Sequence, residues 1–206
     1  MFTPPAFVEA DKATLHALIA NHGFGMLVTV RDGVPVISHL PFMLDPAAGP
    51  DGTLFAHVAR GNPQWRDFDG NREALAVFQG PHGYISPRWY RPGNAVPTWN
   101  YAVVHAWGIP RIVGDDDAVR RQQEALSAAY ERSAPDAWTL AGQPAGYADG
   151  MLRGIVAFEL PIVRIEGKFK LSQNRPPEDA TGVIEGLRAT GDPGDAALAA
   201  LMESRR

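Results

Sequence analysis

The sequence predicts a mainly β protein with flanking helices, an α+β fold. Its 206 residues include 21 Gly and 18 Pro, and turns that plentiful favour many short strands over a helical bundle. In the segment 55–108, β-branched and aromatic runs alternate with polar turns. Apolar residues at helical spacing elsewhere predict several amphipathic helices. The apolar fraction of 45% is typical of a globular protein that buries a substantial core.

The first part of the chain predicts one helix and three strands. The helix covers residues 10–22, begins at the cap Asp11 and ends at Gly23. The strands cover residues 24–30, 34–44 and 53–58, with a hairpin turn at Asp32-Gly33 and a second turn at Asp51-Gly52. Because proline cannot donate to a strand ladder, Pro35 and Pro41 make the second strand an edge or bulged strand. A short helix is predicted to begin at Asn62-Pro63 and to run through Trp65 and Phe68.

The second part predicts a further set of strands and helices. Two short strands, 74–79 and 84–86, flank a turn at Gly80-Pro81, and residues 99–113 form the longest β-like run. A long helix opens at Asp115 and reaches about Arg132, with its acidic residues at the positive end of the helix dipole. The connection 134–150 holds a short helix near Tyr147. A strand over 154–165 and two helices, from Pro176 to about Arg188 and over 195–203, complete the chain.

Composition narrows the classes of function. The net charge of −4, with no basic recognition helix, argues against direct DNA binding. The absence of cysteine excludes disulfides and thiolate chemistry. The six His lack metal-ligand spacing, so no metal site is predicted. The amino-terminal residues do not resemble a signal peptide, and no apolar run is long enough to cross a bilayer, so we expect a soluble, cytoplasmic protein.

Two polar segments are candidates for ligand binding. Arg60 precedes the helix start at Asn62-Pro63, and a cation beside free helix N–H groups suits an anion such as phosphate. The alternative is an ordinary capped helix beside a surface arginine. Residues 168–175 (KFKLSQNR) are dense in donors, and strand alternation places Lys168, Lys170 and Ser172 on one side. The alternative there is a solvated basic edge that blocks sheet aggregation.

Seven segments together resemble the PaiB-type family of FMN-binding negative transcriptional regulators, members of the flavin-binding split-barrel class. They are residues 1–5 (MFTPP), 39–42 (HLPF), 57–65 (HVARGNPQW), 77–81 (VFQGP), 84–90 (YISPRWY), 97–101 (PTWNY) and 166–179 (EGKFKLSQNRPPED). The last of these is long and unusual in composition, which makes the resemblance specific. The loop at residues 91–95 looks shorter than in many relatives.

The resemblance implies a fold, an assembly and a cofactor. The fold is a six-stranded antiparallel Greek-key split barrel of the FMN-binding type, flanked by helices. Residues 1–190 would form the FMN-binding domain and residues 191–206 a C-terminal helical tail. The protein would work as a homodimer with FMN at the subunit interface, each site being built by both subunits.

The resemblance also implies a set of cofactor-binding residues. His39, Leu40 and Pro41 would run along the flavin, and Arg60, Asn62 and helix N–H groups would hold its phosphate. His57 and Trp65 belong to the same predicted phosphate-side segment. Thr98 and Asn100 would come from a neighbouring strand, of the same chain or of the partner. Lys168 and Lys170 would approach the carbonyl edge of the ring, where positive charge favours the reduced, anionic flavin. The resemblance names no catalytic residue.

Three hypotheses about function follow. The first is a flavin-binding regulatory or sensory homodimer, whose effect on gene expression runs through a partner protein or a small-molecule effector. The second is a flavin-dependent oxidoreductase similar to the pyridoxamine-phosphate oxidases, with Tyr84, Arg88 and Tyr90 holding a small substrate over the ring. The third is haem binding through a histidine in one of the strands.

Overall fold

The computed structural model describes residues 1–91, 95–131 and 134–206, and its described elements are mostly antiparallel strands with five α-helices. The helices are α1 (Lys12–Asn21), α2 (Asp116–Glu131), α3 (Ala145–Arg153), α4 (Pro177–Ala189) and α5 (Pro193–Ser204). The strands are β1 (Val8–Glu9), β2 (Phe24–Arg31), β3 (Val34–Pro41), β4 (Met43–Asp45), β5 (Thr53–Ala59), β6 (Ala74–Ile85), β7 (Thr98–Gly108), β8 (Arg111–Ile112), β9 (Ile155–Pro161) and β10 (Arg164–Lys170). The predicted class, mainly β with flanking helices, is confirmed.

The internal contacts of the chain divide it into two compact units. Unit 1 comprises Met1–His22, Phe78–His105 and Glu166–Arg206, and unit 2 comprises Gly23–Val77 and Ala106–Ile165. β6, β7 and β10 each contribute residues to both units. The C-terminal helix α5 belongs to unit 1, whereas the predicted division into a 1–190 domain and a 191–206 tail stays a prediction.

Unit 1 is a sheet covered by three helices. Its strands lie in the order β1–β10–β7–β6. α1 contributes Leu15 and Ile19 to the core, and the facing sheet residues are similarly buried: Phe78, Ile85, Ala102, Val104 and Phe169. α4 and α5 add their own buried residues: Val183, Ile184, Leu187, Leu198, Ala199 and Met202. The burial of these apolar side chains is the main stabilising contribution to the unit.

Unit 2 contains two groups of strands and the helices α2 and α3. In one group β2 lies between the start of β6 and β3, and in the other the order is β4–β5–β9–β8. Its core includes Leu27, Leu54, Val58, Phe158 and Leu160. A short 3-10 helix, Pro63–Asp67, follows β5. α2 differs from α4 and α5 because none of its described side chains is fully buried.

Several local predictions are confirmed by the structure. Asp11 caps α1 by accepting a hydrogen bond from the Thr14 backbone at 2.9 Å. Asp32 and Gly33, with φ values of 52° and 79°, form the two-residue turn between β2 and β3, the conformation that such hairpins require. β3, with its two prolines, is the last strand of its group, as predicted for an edge. The long helix after Asp115 is α2, although Arg132 lies outside the described residues, as do residues 92–94 of the loop at 91–95.

The predicted turn at Gly80-Pro81 is wrong, because β6 runs unbroken from Ala74 to Ile85. Gly80 serves close packing: a Cβ there would lie 3.1 Å from the Leu18 side chain and 3.4 Å from the Ala102 carbonyl oxygen. Local sequence cannot distinguish a glycine needed for close approach from one needed for a turn.

Three predicted strands are also shorter than expected. The run 34–44 divides at Phe42 into β3 and β4, which belong to different groups of strands, because Pro41 cannot donate a ladder hydrogen bond. The run 99–113 divides into β7 and β8 before and after Pro110. The run 154–165 ends as β9 at Pro161, and β10 begins at Arg164.

Candidate functional site

Arg60 follows β5 in unit 2, and its guanidinium is held by the backbone. Its Nε donates to the Arg153 carbonyl and its Nη2 to the Ile155 carbonyl, each at 2.7 Å. Trp65 lies beside it, with Nε1 donating to the Arg60 carbonyl at 3.2 Å. The structure therefore brings these two predicted residues together. Two of the arginine nitrogens are committed to protein carbonyls, which leaves Nη1 for a ligand.

Asn62 begins the 3-10 helix as predicted. Its Oδ1 accepts a hydrogen bond from the Gln64 backbone at 3.0 Å, and its Nδ2 donates to Ser38 Oγ at 2.9 Å. Gln64 is fully buried, and its Nε2 donates to the Leu27 and Val36 carbonyls. Asn62 is thus fixed between the helix start and β3, and Gln64 anchors the helix against the β2–β3 hairpin.

The other predicted residues of unit 2 lie on β3 and β5. His39 is exposed and stacks on Phe24 with ring centroids 6.3 Å apart, whereas Leu40 is buried and Pro41 ends the strand. The Nδ1 of His57 is buried and has no hydrogen-bond partner among the described residues. Burial lowers the pKa of His57, because the low-dielectric surroundings disfavour the imidazolium.

Lys170 and Thr98 meet in unit 1. The Lys170 ammonium donates to Thr98 Oγ1 and, at 2.7 Å, to the Trp99 carbonyl. Lys168, on the same side of β10, donates to the Phe2 carbonyl at 3.2 Å, and its ammonium lies 5.3 Å from the centroid of the Tyr101 ring. Strand alternation places both lysines on one side of β10, and Lys168 lies beside aromatic rings. The prediction that Ser172 lies on the same side as the two lysines is wrong, because β10 ends at Lys170 and Ser172 has a φ of 67°.

Asn100 is part of the core of unit 1. It is only 1% exposed, and its Nδ2 donates to Ser172 Oγ at 2.9 Å and to the Met202 sulfur at 3.5 Å. Its Oδ1 has no hydrogen-bond partner among the described residues. A buried amide oxygen without a partner costs stability, so this atom is a candidate acceptor for a ligand donor.

Arg175 belongs to the donor-dense segment 168–175 but is not among the predicted cofactor-binding residues. Its guanidinium carbon lies 4.5 Å from the centroid of the Tyr90 ring. Burial, then the positive charges of Lys168 and Arg175, lower the pKa of Lys170. In residues 1–91, 95–131 and 134–206, none of these three cations has a carboxylate partner within ion-pair distance. We call Lys168, Lys170 and Arg175 the cation cluster.

Unit 2 also holds a cavity of about 640 Å³ between the strands β8–β9 and the helices α2 and α3. Arg60 and Trp65 line it, and the other predicted cofactor-binding residues do not. Sequence reasoning missed this cavity, because its walls come from segments that are distant along the chain.

None of the described helices combines the length and apolar character of a membrane span. The described His, Asp and Glu side chains nowhere gather in a group of three that could hold a metal ion.

Comparison with known proteins identifies the family. The family model described as "Putative FMN-binding domain" matches residues 1–164. "Protease synthase and sporulation protein PAI 2" of Bacillus subtilis is 34% identical over 207 residues, a match that spans all of this chain and 98% of that protein. The chain belongs to the PaiB-type FMN-binding family. The resemblance read from the seven sequence segments is thereby confirmed, and so is FMN as the cofactor.

Solved structures support the fold of this PaiB-type protein. The FAD and heme binding protein from Mycobacterium smegmatis superposes with a TM-score of 0.62 at 18% identity, covering 79% of this chain and 73% of that chain. A flavocytochrome from Azotobacter vinelandii gives 0.61 at 13% identity, covering 85% and 75%. At such identities the likeness concerns the fold alone. The predicted flavin-binding split-barrel class is confirmed.

The residues of the PaiB-type chain fit a flavin nucleotide. The cation cluster offers positive charge without a carboxylate partner among the described residues, and Lys170 donates to the carbonyl of Trp99, whose partly exposed ring lies 6.2 Å from that of Tyr84. Flat aromatic surfaces and unpaired cations are what an anionic ring system requires. In the same unit, the buried Asn100 Oδ1 adds an acceptor.

Proposed function

We propose that this FMN-binding chain acts as a regulatory or sensory homodimer rather than as an enzyme. The observation that carries the proposal is the cation cluster. Lys170 is half-buried and held by Thr98 and Trp99, with a pKa lowered by burial and by the two neighbouring cations. Three cations kept together without a carboxylate repel one another, and an anionic ligand relieves that repulsion.

FMN, when bound, supplies a redox-active ring whose charge changes on reduction. In this proposal Lys168 and Lys170 place their ammonium groups at that ring and Thr98 orients Lys170. Arg60 contributes Nη1 to the phosphate, while Asn62 fixes the nearby helix start. His39, Leu40 and Pro41 follow the flavin along β3, and His57, Trp65 and Asn100 complete the proposed set. A redox-dependent charge next to the cluster is a signal that a sensor can transmit.

A half-exposed apolar face supports the homodimer. In the registers of β2 with β3 and β6, Met26 lies opposite His39 and Val77, and Val28 lies opposite Ile37 and Leu75. Side chains that lie directly opposite one another share a sheet face. Ile37 is 53% exposed and Phe24, on the same strand group, is 69% exposed. A second copy of the chain would remove this apolar surface from water.

The surroundings of the cluster favour a sensor over acid–base catalysis. Glu166 accepts a hydrogen bond from the amino terminus of Met1 at 2.6 Å. Asp179 accepts one from the Arg91 backbone at 3.0 Å. These two carboxylates of unit 1 are thus engaged in positioning the chain, whereas a general base must reach the proton that it abstracts.

An FMN titration followed by absorbance and by quenching of flavin fluorescence tests the proposal. We expect Lys170→Met to weaken FMN binding about 10- to 100-fold, as expected for loss of a charge-assisted contact. Lys12→Met, which removes the same charge outside the cluster, should bind as the unmodified protein does. Equal affinities for the two variants would contradict the assignment of the cluster to the flavin.

A second measurement separates the sensor from an oxidoreductase. The FMN-loaded protein is mixed with NADH or NADPH and a small acceptor, and pyridine nucleotide oxidation is followed at steady state. The proposal predicts that FMN binds without multiple turnovers. Sustained turnover that Arg88→Ala abolishes would replace it with the oxidoreductase hypothesis.

A further inference from the structure

The cavity of unit 2 carries an inference beyond flavin binding. Its floor is formed by β8 and β9, and its other walls by the beginning of α2, by α3 and by Trp65. A volume of about 640 Å³ is in the range of small-molecule sites. We propose that this cavity binds a small organic zwitterion with an apolar body, separately from FMN.

The charges that line the cavity define the ends of such a ligand. The lining includes three arginines and three aspartates, of which Arg120 and Asp149 form an ion pair at 2.5 Å. Four charged residues remain: Arg60, Arg153, Asp116 and Asp117. Within the described part of the chain, none of the four has an ion-pair partner. Two cations and two anions around one cavity match a ligand with one carboxylate and one ammonium group.

The floor of the cavity defines the middle of the ligand. The lining there and on the two helices contains aliphatic residues: Ile112, Val113, Val119, Leu152, Ile155, Val156 and Ala157. Trp65 adds an aromatic surface. Apolar walls with a few charged groups favour a ligand that has an apolar body and polar ends. This chemistry differs from that of FMN, which carries phosphate and no cationic group.

The packing of α2 provides independent support. The helix spans 16 residues, yet none of its described side chains is fully buried. Its Gln122 Nε2 donates to the Ala56 carbonyl at 2.8 Å, while Gln122 Oε1 and Gln123 Nε2 are buried and lack partners among the described residues. A helix with few buried contacts and unsatisfied polar groups is held weakly. A ligand beneath its first two turns would add contacts and order it.

Three probes with the same indole body test the charge requirement. They are tryptophan, with both charged groups, indole-3-propionate, with only the carboxylate, and tryptamine, with only the ammonium group. Isothermal titration calorimetry should show tryptophan binding at least about 10-fold more tightly than either, because each lost ion pair or charged hydrogen bond costs about that much affinity. Absence of binding by all three, or equal binding by all three, would overturn the inference.

Matched variants locate the binding. Arg60 and Trp65 also belong to the proposed flavin set, so the test uses Arg153 and Leu152, which do not. Arg153→Gln should weaken tryptophan binding about 10-fold, whereas Arg121→Gln, on the exposed side of α2 and outside the lining, should leave it unchanged. Leu152→Trp should block the cavity, and circular dichroism of each variant checks that it is folded. Equal binding by the Arg153 and Arg121 variants would place the probe elsewhere.

Two further readouts separate this site from the flavin site. Hydrogen exchange of the α2 amides should slow when tryptophan binds, since the ligand would order the helix. FMN titration of Arg153→Gln should give the affinity of the unmodified protein. A matching loss of FMN affinity would show that the cavity belongs to the flavin site and would refute a separate one. Failure of FMN to bind the unmodified protein would refute the proposed function and leave the zwitterion site standing.

Discussion

Replacing Gly182 with alanine is expected to destabilise the protein, although alanine favours helices. Gly182 lies inside α4, and a Cβ at this position would be 2.1 Å from the Trp89 carbonyl oxygen. Helix propensity alone would stabilise the variant by about 1 kcal/mol. Overpacking of this kind costs about 1–3 kcal/mol, and a backbone carbonyl, unlike a flexible side-chain end, cannot move aside cheaply. Because the clash is with backbone, the cost should lie in the upper half of that range, about 2–3 kcal/mol, and the net loss should be about 1–2 kcal/mol.

Gly150→Ala is the matched control. Gly150 is also inside a helix, α3, but a Cβ there would have no neighbour within 4 Å. Only the propensity gain applies, so this variant should be stabilised by about 0.5–1 kcal/mol. In a thermal melt followed by circular dichroism, one substitution should lower Tm and the other should raise it, by about 2–4 °C for each kcal/mol.

The variants Gly182→Ala and Gly150→Ala also test the candidate flavin site. Tyr90, which follows Trp89, lies against Arg175 of the cation cluster. Displacement of Trp89 in the Gly182 variant should also shift Tyr90 and weaken FMN binding, whereas Gly150→Ala should not. If Gly182→Ala raised Tm as much as Gly150→Ala does, α4 could not pack against the Trp89 backbone. The position of the neighbouring Tyr90, and with it the assignment of Arg175 to the cation cluster, would then lose its support.

Three other outcomes are expected. FMN affinity should fall as pH rises through the lowered pKa of Lys170, because only the protonated amine attracts the flavin, and Lys170→Met should remove that pH dependence in titrations from neutral to alkaline pH. Burial alone would raise the pKa of Asp67, but hydrogen bonds from Arg31 and Thr29 outweigh burial and lower the pKa. The contribution of the Asp67 carboxylate to the free energy of unfolding is therefore present above the unfolded-state pKa of about 4 and is lost as pH falls further. Urea unfolding of Asp67→Asn should show a smaller loss of stability on acidification than that of the unmodified protein. Ile37→Lys should give a monomer in sedimentation velocity, because it places a charge on the proposed dimer face. Val163→Lys, at a similarly exposed position outside the β2–β3 face, should sediment like the unmodified protein. An unchanged assembly of the Ile37 variant would contradict the proposed dimer face.

The sequence predicted those elements whose signals are local. A cap at Asp11 and a positive-φ pair at Asp32-Gly33 act within a few residues, so helix α1 and the β2–β3 hairpin follow from them directly. Gly80-Pro81 has the composition of a turn, but the reason for its glycine is the proximity of Leu18 and Ala102. Those neighbours are distant along the chain, and no local sequence pattern predicts the contact.

The candidate site was predictable to a similar extent. Strand alternation placed Lys168 and Lys170 together, and the resemblance added Thr98, which the structure brings to Lys170. Arg175 joins them through the left-handed turn at Ser172, where the Arg175 backbone donates to the Ser172 carbonyl at 3.0 Å. A turn of that kind cannot be inferred from serine, a residue that seldom adopts positive φ. The sequence therefore predicted Arg175 as part of the donor-dense segment 168–175, but not its place beside the two lysines.

Arg60 and Lys170, the two predicted FMN-binding cations, differ in how strongly each can attract the cofactor. Arg60 donates from Nε and Nη2 to two backbone carbonyls, so three of its five N–H donors remain for a phosphate, and the guanidinium cannot move toward a ligand without breaking those two bonds. Lys170 lies beside two further cations, and their field adds to the attraction of any anion. The cluster should therefore contribute more to FMN affinity than Arg60 does. Arg60→Met, by contrast, should act mainly on stability, because it releases the end of β5 from residues 153–155.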